Sequence, residues 1–352
     1  MQEELQMQKV SFGKTDKGEQ ATLYVLENKN HTTIKVTDYG ATLVAFIFQD
    51  KNGVERDVVL GYDSVEGYQR NGCYFGATVG RNGNRIANAQ FTINGKTWKI
   101  EDNDNGNNLH SGKNGFSKVM WDVKEITDNS ITLTHFSPEE EQGFPGNMTA
   151  EVTYTITEED RLEISYQATA DKDTIMNFTN HSYFNLAGHD SGSMEEQELQ
   201  IFADSYTPMD SKSIPTGEIA SVEGTPMDFR VMKQIGRDIN ADFEQVRLVG
   251  GYDHNYVLSE KPGEMKLMAN AYCKETGIAM EASTDCCGVQ LYVGNFIQAH
   301  KGKSGAEYHD RQGFCLESQF YPNAVNQENF ASPVVKAGEQ YNSKTTYRLY
   351  LK

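Results

Sequence analysis

The sequence predicts an all-β protein built as a large antiparallel β-sandwich. Short runs of alternating apolar and polar residues recur along the 352-residue chain, and Gly, Asn and Asp separate them. Glycine is frequent, at 31 residues, whereas proline is rare, at 8. Helical spacing of apolar residues is scarce, since only residues 229–242 suit a short helix or a loop. These patterns favour packed sheets joined by tight turns.

The predicted strands follow one another at short spacing. Residues 91–93 and 97–100 should form a hairpin around Asn94-Gly95, because a type I′ turn needs positive φ at both central positions. The other predicted strands are 58–60, 131–134, 152–156, 162–166, 179–186, 288–296 and 314–320. No linker-like tract or internal repeat interrupts them. We therefore predict one domain over residues 1–352, with residues 1–8 as a flexible N-terminal extension.

The charge balance narrows the classes of partner. The chain carries 50 acidic and 32 basic residues, which gives a formal net charge of -18. Nucleic acids and anionic membranes would repel such a protein, so we predict neither as a partner. A small uncharged substrate is compatible with this charge. The sequence holds no run of about 18 apolar residues, and we expect no membrane-spanning helix.

The cysteines and the N-terminus bear on the compartment. The five cysteines are an odd number and widely scattered, and the adjacent Cys286-Cys287 pair lacks the C-x-x-C spacing of a zinc site. Reduced thiols in the cytoplasm are the simplest interpretation. Residues 1–6 carry neither a basic n-region nor an apolar h-region. We expect a cytoplasmic protein, although a secreted or periplasmic protein whose signal has been removed would look the same.

One predicted strand, residues 179–186, carries a histidine among polar neighbours. Thr179, His181, Tyr183 and Asn185 should share one face, because side chains alternate along a strand. A histidine beside a hydroxyl, a phenol and an amide can exchange protons with a substrate. A structural histidine near a sheet edge explains the segment equally well. The strand alone leaves both interpretations open.

Two further predicted strands have the same mixture of polar and apolar side chains. Glu317 and Gln319 share one strand face, as do Gln290 and Tyr292 on the other strand. A carboxylate within an apolar strand is costly to bury unless it meets a partner or ligand, and partial burial raises its pKa towards that of a general base. Tyr292 and Phe296 offer flat rings to a sugar. A surface glutamate and core aromatic residues are the alternatives.

Two loop-like segments add candidate polar residues. His110 lies in the turn-rich residues 107–112, and Asp253 precedes His254 in residues 250–255. Loops on a rigid β-scaffold often carry function, whereas a single loop histidine is more often only solvated. The eight histidines form no H-x-H or H-E-x-x-H motif, and the chain lacks a G-x-S-x-G elbow, a P-loop and a dinucleotide fingerprint.

Nine segments from about Gly40 onward carry a family resemblance in their order and spacing. They are DVVLG (57–61), YFG (74–76), GR (80–81) with NRIA (84–87), NLHSG (108–112), GFPG (143–146), NHSYFNL (180–186), IPTG (214–217), DHN (253–255) and CLESQ (315–319). With these motifs the chain resembles the galactose mutarotase, or aldose 1-epimerase, family. One segment departs from the family pattern, since Asn82-Gly83 stands where Val-Ala or Tyr-Ala is common.

This resemblance implies a single-domain β-supersandwich without a metal or organic cofactor. It implies an isomerase that interconverts the α and β anomers of free hexoses such as galactose and glucose. Glu317 is implied as the general base and His181 as the general acid. Residues with implied sugar-binding or supporting roles are Asn84, Arg85, His110, Asp253 and Gln290. We expect a monosaccharide as the partner and a monomer or weak dimer as the assembly.

Anomer exchange sets a requirement on the two catalytic candidates. The C1 hydroxyl must lose a proton while the ring oxygen gains one, so the hypothesis requires an ionised Glu317 and a protonated His181 near neutral pH. Three alternatives remain open. They are a non-catalytic carbohydrate-binding domain, a glycoside hydrolase using Asp253 and Glu317, and a relative acting on hexose 6-phosphates, which would need a basic cluster that the sequence does not show.

Overall fold

The structure, a computed structural model, describes residues 7–70 and 72–352. Most of the predicted flexible extension, residues 1–6, lies outside the described residues. The extension prediction is wrong at its last residue, because Gln8 already belongs to the first strand. That strand pairs with the next one from Gln8 onward, so backbone hydrogen bonds fix it.

Strands make up most of the secondary structure in the described residues. Those of the first half are β1 (Gln8–Lys14), β2 (Gln20–Glu27), β3 (Thr33–Thr37), β4 (Thr42–Gln49), β5 (Glu55–Asp57), β6 (Thr78–Val79), β7 (Arg85–Ile86), β8 (Gln90–Ile93), β9 (Lys96–Lys99), β10 (Asn108–Leu109), β11 (Asp122–Ile126), β12 (Ser130–Ser137), β13 (Met148–Ile156), β14 (Arg161–Ala170), β15 (Thr174–Ile175) and β16 (Thr179–Asn180).

The second half continues in the same manner. Its strands are β17 (Glu198–Ile201), β18 (Ser205–Tyr206), β19 (Ala220–Ser221), β20 (Lys233–Gln234), β21 (Asp253–Val257), β22 (Lys266–Tyr272), β23 (Ile278–Thr284), β24 (Gly288–Tyr292), β25 (His300–Lys301), β26 (Glu307–Tyr308), β27 (Cys315–Gln319), β28 (Val334–Val335) and β29 (Gln340–Leu351). The α-helices of the described residues are α1 (Val65–Arg70) and α2 (Glu244–Val249), and the 3-10 turns are Ala87–Ala89, Phe116–Lys118, Glu141–Gly143, Ile235–Arg237, Lys303–Gly305 and Ala324–Asn326. No helix in the described part of the chain is long and apolar enough to cross a bilayer.

Three antiparallel sheets organise the described residues. The first is a five-stranded meander in the order β1-β2-β3-β4-β5. The second has nine strands in the order β11-β12-β13-β14-β29-β23-β22-β17-β20, with the last strand of the chain in its middle. The third has five strands in the order β19-β18-β21-β24-β27 and carries several of the candidate site residues. The predicted all-β class is confirmed.

A shared hydrophobic core joins the three sheets. Leu26 of the first sheet, Val152 and Ile164 of the second, and Leu291 and Leu316 of the third belong to one buried cluster. Buried residues alternate along β13 and β14, as the sequence pattern requires of a sheet with one covered face. Full burial of each such aliphatic side chain contributes about 1.5–3 kcal/mol. The single-domain assignment of residues 1–352 stays a prediction.

Several predicted elements are confirmed. The hairpin of β8 and β9 turns at Asn94 and Gly95, whose φ angles are 52° and 76°. Strands also cover residues 131–134, 152–156 and 162–166, and β24 and β27 cover most of the predicted strands at 288–296 and 314–320. Residues 229–242 contain β20 and a single 3-10 turn, which agrees with the loop alternative.

The strand predictions at 58–60 and 179–186 are only partly correct. Regular pairing ends at Asn180, and Phe184 then forms isolated bridges to Val59 on one side and Phe314 on the other. The backbone N–H of His181 donates to the carbonyl of Ala77 (3.0 Å). The segment is extended, but its partners change from residue to residue, so no continuous ladder forms.

A buried lysine secures the segment against which residues 181–186 pack. The Nζ atom of Lys303 donates to the carbonyls of Val44 and Val59, both at 2.7 Å, and to the carboxylate of Asp57 at 2.6 Å. All three ammonium donors are therefore satisfied. Burial lowers the pKa of Lys303, and the nearby Asp57 opposes that shift. This network holds residues 57–59 in place beside the histidine segment.

Candidate active site

The predicted site residues converge on one cavity of about 370 Å³. The candidates that line it are Asn84, Arg85, His110, His181, Asp253 and Glu317. Gln290 is not among the lining residues and lies against Asp253 instead. Tyr74, from one of the nine motif segments, also lines the cavity, as do residues to which the sequence did not point, namely Asp104, Asn105, Ser211, Ser213 and Leu248. Tyr292 and Phe296 lie at its wall, and Phe296 is 63% exposed.

A second cavity, of about 400 Å³, lies around Lys303 and His189. Several of its charged groups already have partners within the protein. Lys303 pairs with Asp57, and Arg56 pairs with Asp50. Nδ1 of His189 lies 2.9 Å from the hydroxyl of Tyr308. Because these groups are satisfied, the cavity around His181 is the stronger candidate for chemistry.

His181 and Glu317 form a buried pair facing this cavity. His181 is 5% exposed and Glu317 is 2% exposed. The distance from Nε2 of His181 to Oε2 of Glu317 is 3.6 Å, which is too long for a strong hydrogen bond. Among the described residues, Oε2 of Glu317 has no hydrogen-bond partner. A ligand hydroxyl can therefore bind this oxygen and also contact the imidazole.

Burial shifts both members of the pair towards their neutral forms. It lowers the pKa of His181 to about 4. It raises the pKa of Glu317 well above its usual range, the charge of Asp253 adds to this shift, and Arg85 opposes it. Both shifts favour a pair in which Glu317, rather than His181, holds a proton. Burial therefore opposes the charged forms that the sequence analysis requires of both residues.

Aromatic rings and backbone bonds hold the plane of His181. Its ring stacks between Tyr74, at 5.8 Å and 22°, and Tyr183, at 5.1 Å and 20°. Nδ1 of His181 lies 3.6 Å from Sγ of Cys315. The N–H of Gly76 donates to the carbonyl of His181 at 3.0 Å. Tyr183, which the sequence placed beside the histidine, is therefore one of its supports.

His110 is held as a neutral hydrogen-bond donor. Its Nδ1 accepts the backbone N–H of Asn84 at 3.1 Å, so the neutral ring carries its proton on Nε2. Burial lowers the pKa of His110 well below its usual value, and the nearby His181 and Arg85 add to that shift. The ring lies 5.3 Å from that of His181. A substrate oxygen in the cavity can accept the Nε2 proton.

Within the described residues, the side chains of His110, His181 and Glu317 are close enough together to be considered as metal ligands. Donor atoms of His110, His181 and Glu317 lie within 4.8 Å of one another. The hydrogen bond from Asn84 to Nδ1 leaves the proton of the neutral His110 ring on Nε2, which then offers no lone pair to a cation. The donor set therefore fits a hydroxyl-bearing ligand better than a metal.

Arg85 lies between two carboxylates of the same cavity. Its Nε donates to Oδ2 of Asp104 at 2.7 Å, and its NH1 lies 3.9 Å from Oδ2 of Asp253. Oδ1 of Asp253 accepts Nε2 of Gln290 at 2.7 Å. Oδ2 of Asp253 is therefore the oxygen available to a ligand. Asp104 was missed because an aspartate among Asn and Gly residues is typical of a turn.

Buried amides continue this network beneath the site. Nε2 of Gln319 donates to Oε1 of Gln290 at 3.0 Å and to Oδ1 of Asn255 at 3.1 Å. These three residues lie on the adjacent strands β27, β24 and β21. The amide chain thus links the strands behind Asp253 and restricts the orientation of its carboxylate.

The loops that carry Arg85 and His110 form one paired unit. Strands β7 and β10 pair so that Leu109 lies opposite Arg85, and the N–H of His110 donates to the carbonyl of Asn84 at 3.1 Å. In the unusual Asn82-Gly83 pair, the N–H of Asn82 donates to Oγ of Ser111 at 2.8 Å. The departure from the family pattern is therefore anchored to the same loop as His110.

The prediction that Asp253 lies in a loop is wrong. Asp253 is the first residue of β21 and pairs with Tyr292 on β24. The preceding helix α2 ends at Val249 and is capped by Gly250, whose φ of 67° suits glycine. Three residues after that turn, the chain already forms a ladder. The carboxylate is thus mounted on a sheet, which holds it more precisely than a loop would.

Comparisons with known proteins agree with this architecture. The sequence model of the family described as aldose 1-epimerase matches residues 22–348. A galactose mutarotase from Bos taurus is 41% identical over 316 residues, covering 90% of each chain. An aldose 1-epimerase from Escherichia coli (strain K12) is 36% identical over 333 residues, covering 94% of this chain and 96% of the other.

Solved structures show the same fold. An aldose epimerase homologue from C. elegans superimposes with a TM-score of 0.87 at 30% identity, covering 94% of this chain and 99% of the other. A galactose 1-epimerase from Lactobacillus acidophilus superimposes with a TM-score of 0.84 at 26% identity, covering 98% of this chain and 99% of the other. The extent of the sequence matches and the shared fold lead to one conclusion. This chain belongs to the aldose 1-epimerase family.

Proposed function

We propose that this protein is an aldose 1-epimerase that interconverts the α and β anomers of free hexoses such as galactose and glucose. The observation that carries the proposal is the buried pair of His181 and Glu317, 3.6 Å apart, at the wall of a cavity that Arg85 and Asp253 also line. A base and an acid that can reach one ligand are what ring opening requires.

The reaction balances without a further reactant. The O1–H bond and the C1–O5 bond break, while a C1=O1 double bond and an O5–H bond form. Rotation about C1–C2 then presents the other face of the aldehyde to O5. The reverse proton transfers close the ring as the other anomer. One group must accept the O1 proton and another must supply the O5 proton.

His181 and Glu317 supply both groups. In ring opening, Glu317 accepts the O1 proton and His181 donates to O5, and in ring closure each reverses its role. Sugar hydroxyls that donate to Glu317 favour its ionised form on binding, with Arg85 adding to that effect. Each ring opening leaves Glu317 protonated, and ring closure needs Glu317 in this protonated form. Each positioned group contributes about 10²–10⁴-fold.

The other residues orient the sugar. Oδ2 of Asp253 accepts a hydroxyl proton, since Gln290 occupies Oδ1. Arg85 and the Nε2–H of His110 donate to sugar oxygens, and Asn84 holds His110 through its backbone N–H. Gln290 supports the site by fixing Asp253. The rings of Tyr292 and Phe296 offer apolar surface to the C–H face of the sugar.

The charge of the cavity favours an uncharged hexose. Among the described residues that line it, Arg85 is the only arginine or lysine, and Asp104 already binds its guanidinium. A sugar phosphate would place about -2 charge in this site without a free cation. The carboxylate of Asp253 would also repel it. This arrangement supports free hexoses over hexose 6-phosphates.

We further propose a single-domain, cytoplasmic protein that is a monomer or weak dimer. The five cysteines are all buried and no disulfide joins any of them in the described residues, which supports a reducing compartment. Sedimentation velocity over a range of protein concentrations tests the assembly. A stable higher oligomer would contradict that part of the proposal.

Polarimetry tests the proposed reaction directly. Freshly dissolved α-D-galactose and α-D-glucose should reach their equilibrium rotation faster in proportion to the protein added, beyond the buffer rate. An aryl β-galactoside should release no aglycone, because Asp253, the second carboxylate that a hydrolase would need, is proposed to bind a sugar hydroxyl instead of acting at the glycosidic bond. Unchanged mutarotation rates with both sugars would overturn the proposal. Rapid aglycone release would replace it with hydrolysis.

A further inference from the structure

We infer that Asp104 is a positioning residue that holds the guanidinium of Arg85 away from Asp253 and so keeps a carboxylate oxygen open for the sugar. The inference rests on the proposed function, which supplies the sugar. It assigns a role to a residue outside the predicted set of site residues. Three features of the cavity wall carry it.

The first feature is the contact itself. Nε of Arg85 donates to Oδ2 of Asp104 at 2.7 Å, within the range of a strong charge-assisted hydrogen bond. The side chains of Arg85 and Asp104 are 14% and 20% exposed, so water screens this pair only in part. Both residues line the cavity. Asp104 is therefore the acidic group that binds Arg85 most closely.

The second feature is the position of Asp253. Its Oδ1 is occupied by Gln290, and its Oδ2 lies 3.9 Å from NH1 of Arg85, beyond hydrogen-bond distance. If Asp104 no longer held Nε, the nearest remaining carboxylate for Arg85 would be Asp253. Closing that gap would pair the guanidinium with Oδ2. The oxygen proposed to accept a sugar hydroxyl would then be blocked.

The third feature is the rigid attachment of both residues. Asp104 and Asn107 exchange backbone hydrogen bonds, at 3.1 Å and 2.9 Å, which closes the turn that carries Asp104. This turn leads directly into β10, and β10 pairs with β7, which carries Arg85. The carboxylate and the guanidinium thus belong to one hydrogen-bonded unit. Asp104 is placed to set the direction of Arg85 before a sugar binds.

Asp104→Asn tests this role, and Asp102→Asn is its matched control. Asp102 lies in the same turn, is exposed, and accepts the N–H of Gly106 at 3.0 Å, but it does not line the cavity. Both substitutions remove one negative charge. We expect Asp104→Asn to raise the KM for galactose by about tenfold or more, because a hydrogen bond between charged groups is lost, while kcat changes by less than about threefold. Asp102→Asn should leave both constants near the wild-type values.

A double-mutant cycle with Arg85→Ala separates positioning from direct sugar binding. If Asp104 acts through Arg85, then Asp104→Asn should cause no further rise in KM when Arg85 is already alanine. The same tenfold rise in that background would overturn the inference, since Asp104 would then act without Arg85. A KM for Asp104→Asn equal to that of Asp102→Asn would also overturn it.

Further measurements keep the result interpretable. Circular dichroism and thermal unfolding establish that each variant folds. If Asp104→Asn does not fold, Asp104→Glu takes its place, because it keeps the carboxylate. Its KM should lie within about threefold of the wild-type value, since the charge-assisted hydrogen bond to Arg85 is retained. A KM in Asp104→Glu that is raised tenfold contradicts the inference. Wild-type protein without any mutarotase activity would refute the proposed function instead, so the two failures are distinguishable.

Discussion

Replacing Glu317 by glutamine gives the sharpest test of the proton-transfer pair. The change keeps the size of the side chain and removes its ability to take up and release a proton. Because Glu317 acts in both ring opening and ring closure, kcat for galactose should fall by about 10²–10⁴-fold. The KM should change little, since the glutamine carbonyl can still accept a sugar hydroxyl. Polarimetry on fresh α-D-galactose measures both constants.

The same substitution should change how stability depends on pH. Burial, and then the charge of Asp253, raise the pKa of Glu317 in the folded protein. The folded state therefore holds this proton more tightly than the unfolded chain does, and its stabilising effect is lost as the pH rises through the raised pKa. Glutamine does not titrate. The unfolding free energy of the wild type should thus fall, relative to Glu317→Gln, as the pH rises from the ordinary glutamate pKa of about 4.3 through the raised pKa of the folded protein.

The two results together would refute or support the role of Glu317. Glu307→Gln is a suitable control, because Glu307 is an exposed glutamate on β26 and does not line the cavity. It should leave both kcat and the pH dependence of unfolding unchanged. Wild-type kcat in Glu317→Gln would refute the general-base assignment. An identical pH dependence of unfolding in the wild type and the variant would refute the raised pKa.

Three further outcomes are expected. The value of kcat/KM should depend on pH through both members of the pair. It should fall at acid pH near the pKa of about 4 of His181, because the pair then holds two protons. It should fall again at higher pH, where Glu317 loses its proton. A fall in kcat/KM at the usual histidine pKa would contradict this. Gly76→Ala should lower the unfolding free energy by more than about 1 kcal/mol, because φ is 64° and a Cβ would lie 1.9 Å from the carbonyl oxygen of Leu43; an unchanged urea midpoint would contradict it. Lys303→Met should lower the unfolding free energy by about 3 kcal/mol in urea, because its half-buried carboxylate partner, Asp57, loses its counter-charge; a loss below about 1 kcal/mol would show that water replaces the lysine.

Local features of the sequence predicted the elements that depend on local physics. The type I′ hairpin at Asn94-Gly95 was predictable because two residues with positive φ determine that turn. The strands at 152–156 and 162–166 were predictable because one of their faces is buried, which produces an alternating pattern. The segment after Asn180 was less predictable, since its partners lie on three separate parts of the chain.

In the candidate site, too, the residues were predictable from sequence motifs, whereas their contacts were not. The motifs around His110, His181 and Glu317 identified residues that do line one cavity. The sequence did not reveal that Gln290 binds Asp253, because that bond joins neighbouring strands of a sheet whose order is a tertiary property. Asp104 was not predicted for a similar reason, since only the folded structure shows that this turn aspartate contacts Arg85.

By itself, the sequence determined the all-β class, the alternation of the strands and the chemical types of the site residues, because these depend on composition and short-range periodicity. Only the tertiary structure decided which groups touch and in which direction burial shifts their pKa values. The sequence analysis requires His181 and Glu317 to act as a charged acid and a charged base, whereas burial shifts the pKa of each residue in the direction that favours its neutral form. A pKa depends on solvent exclusion and on charges brought from distant segments, and folding alone creates both.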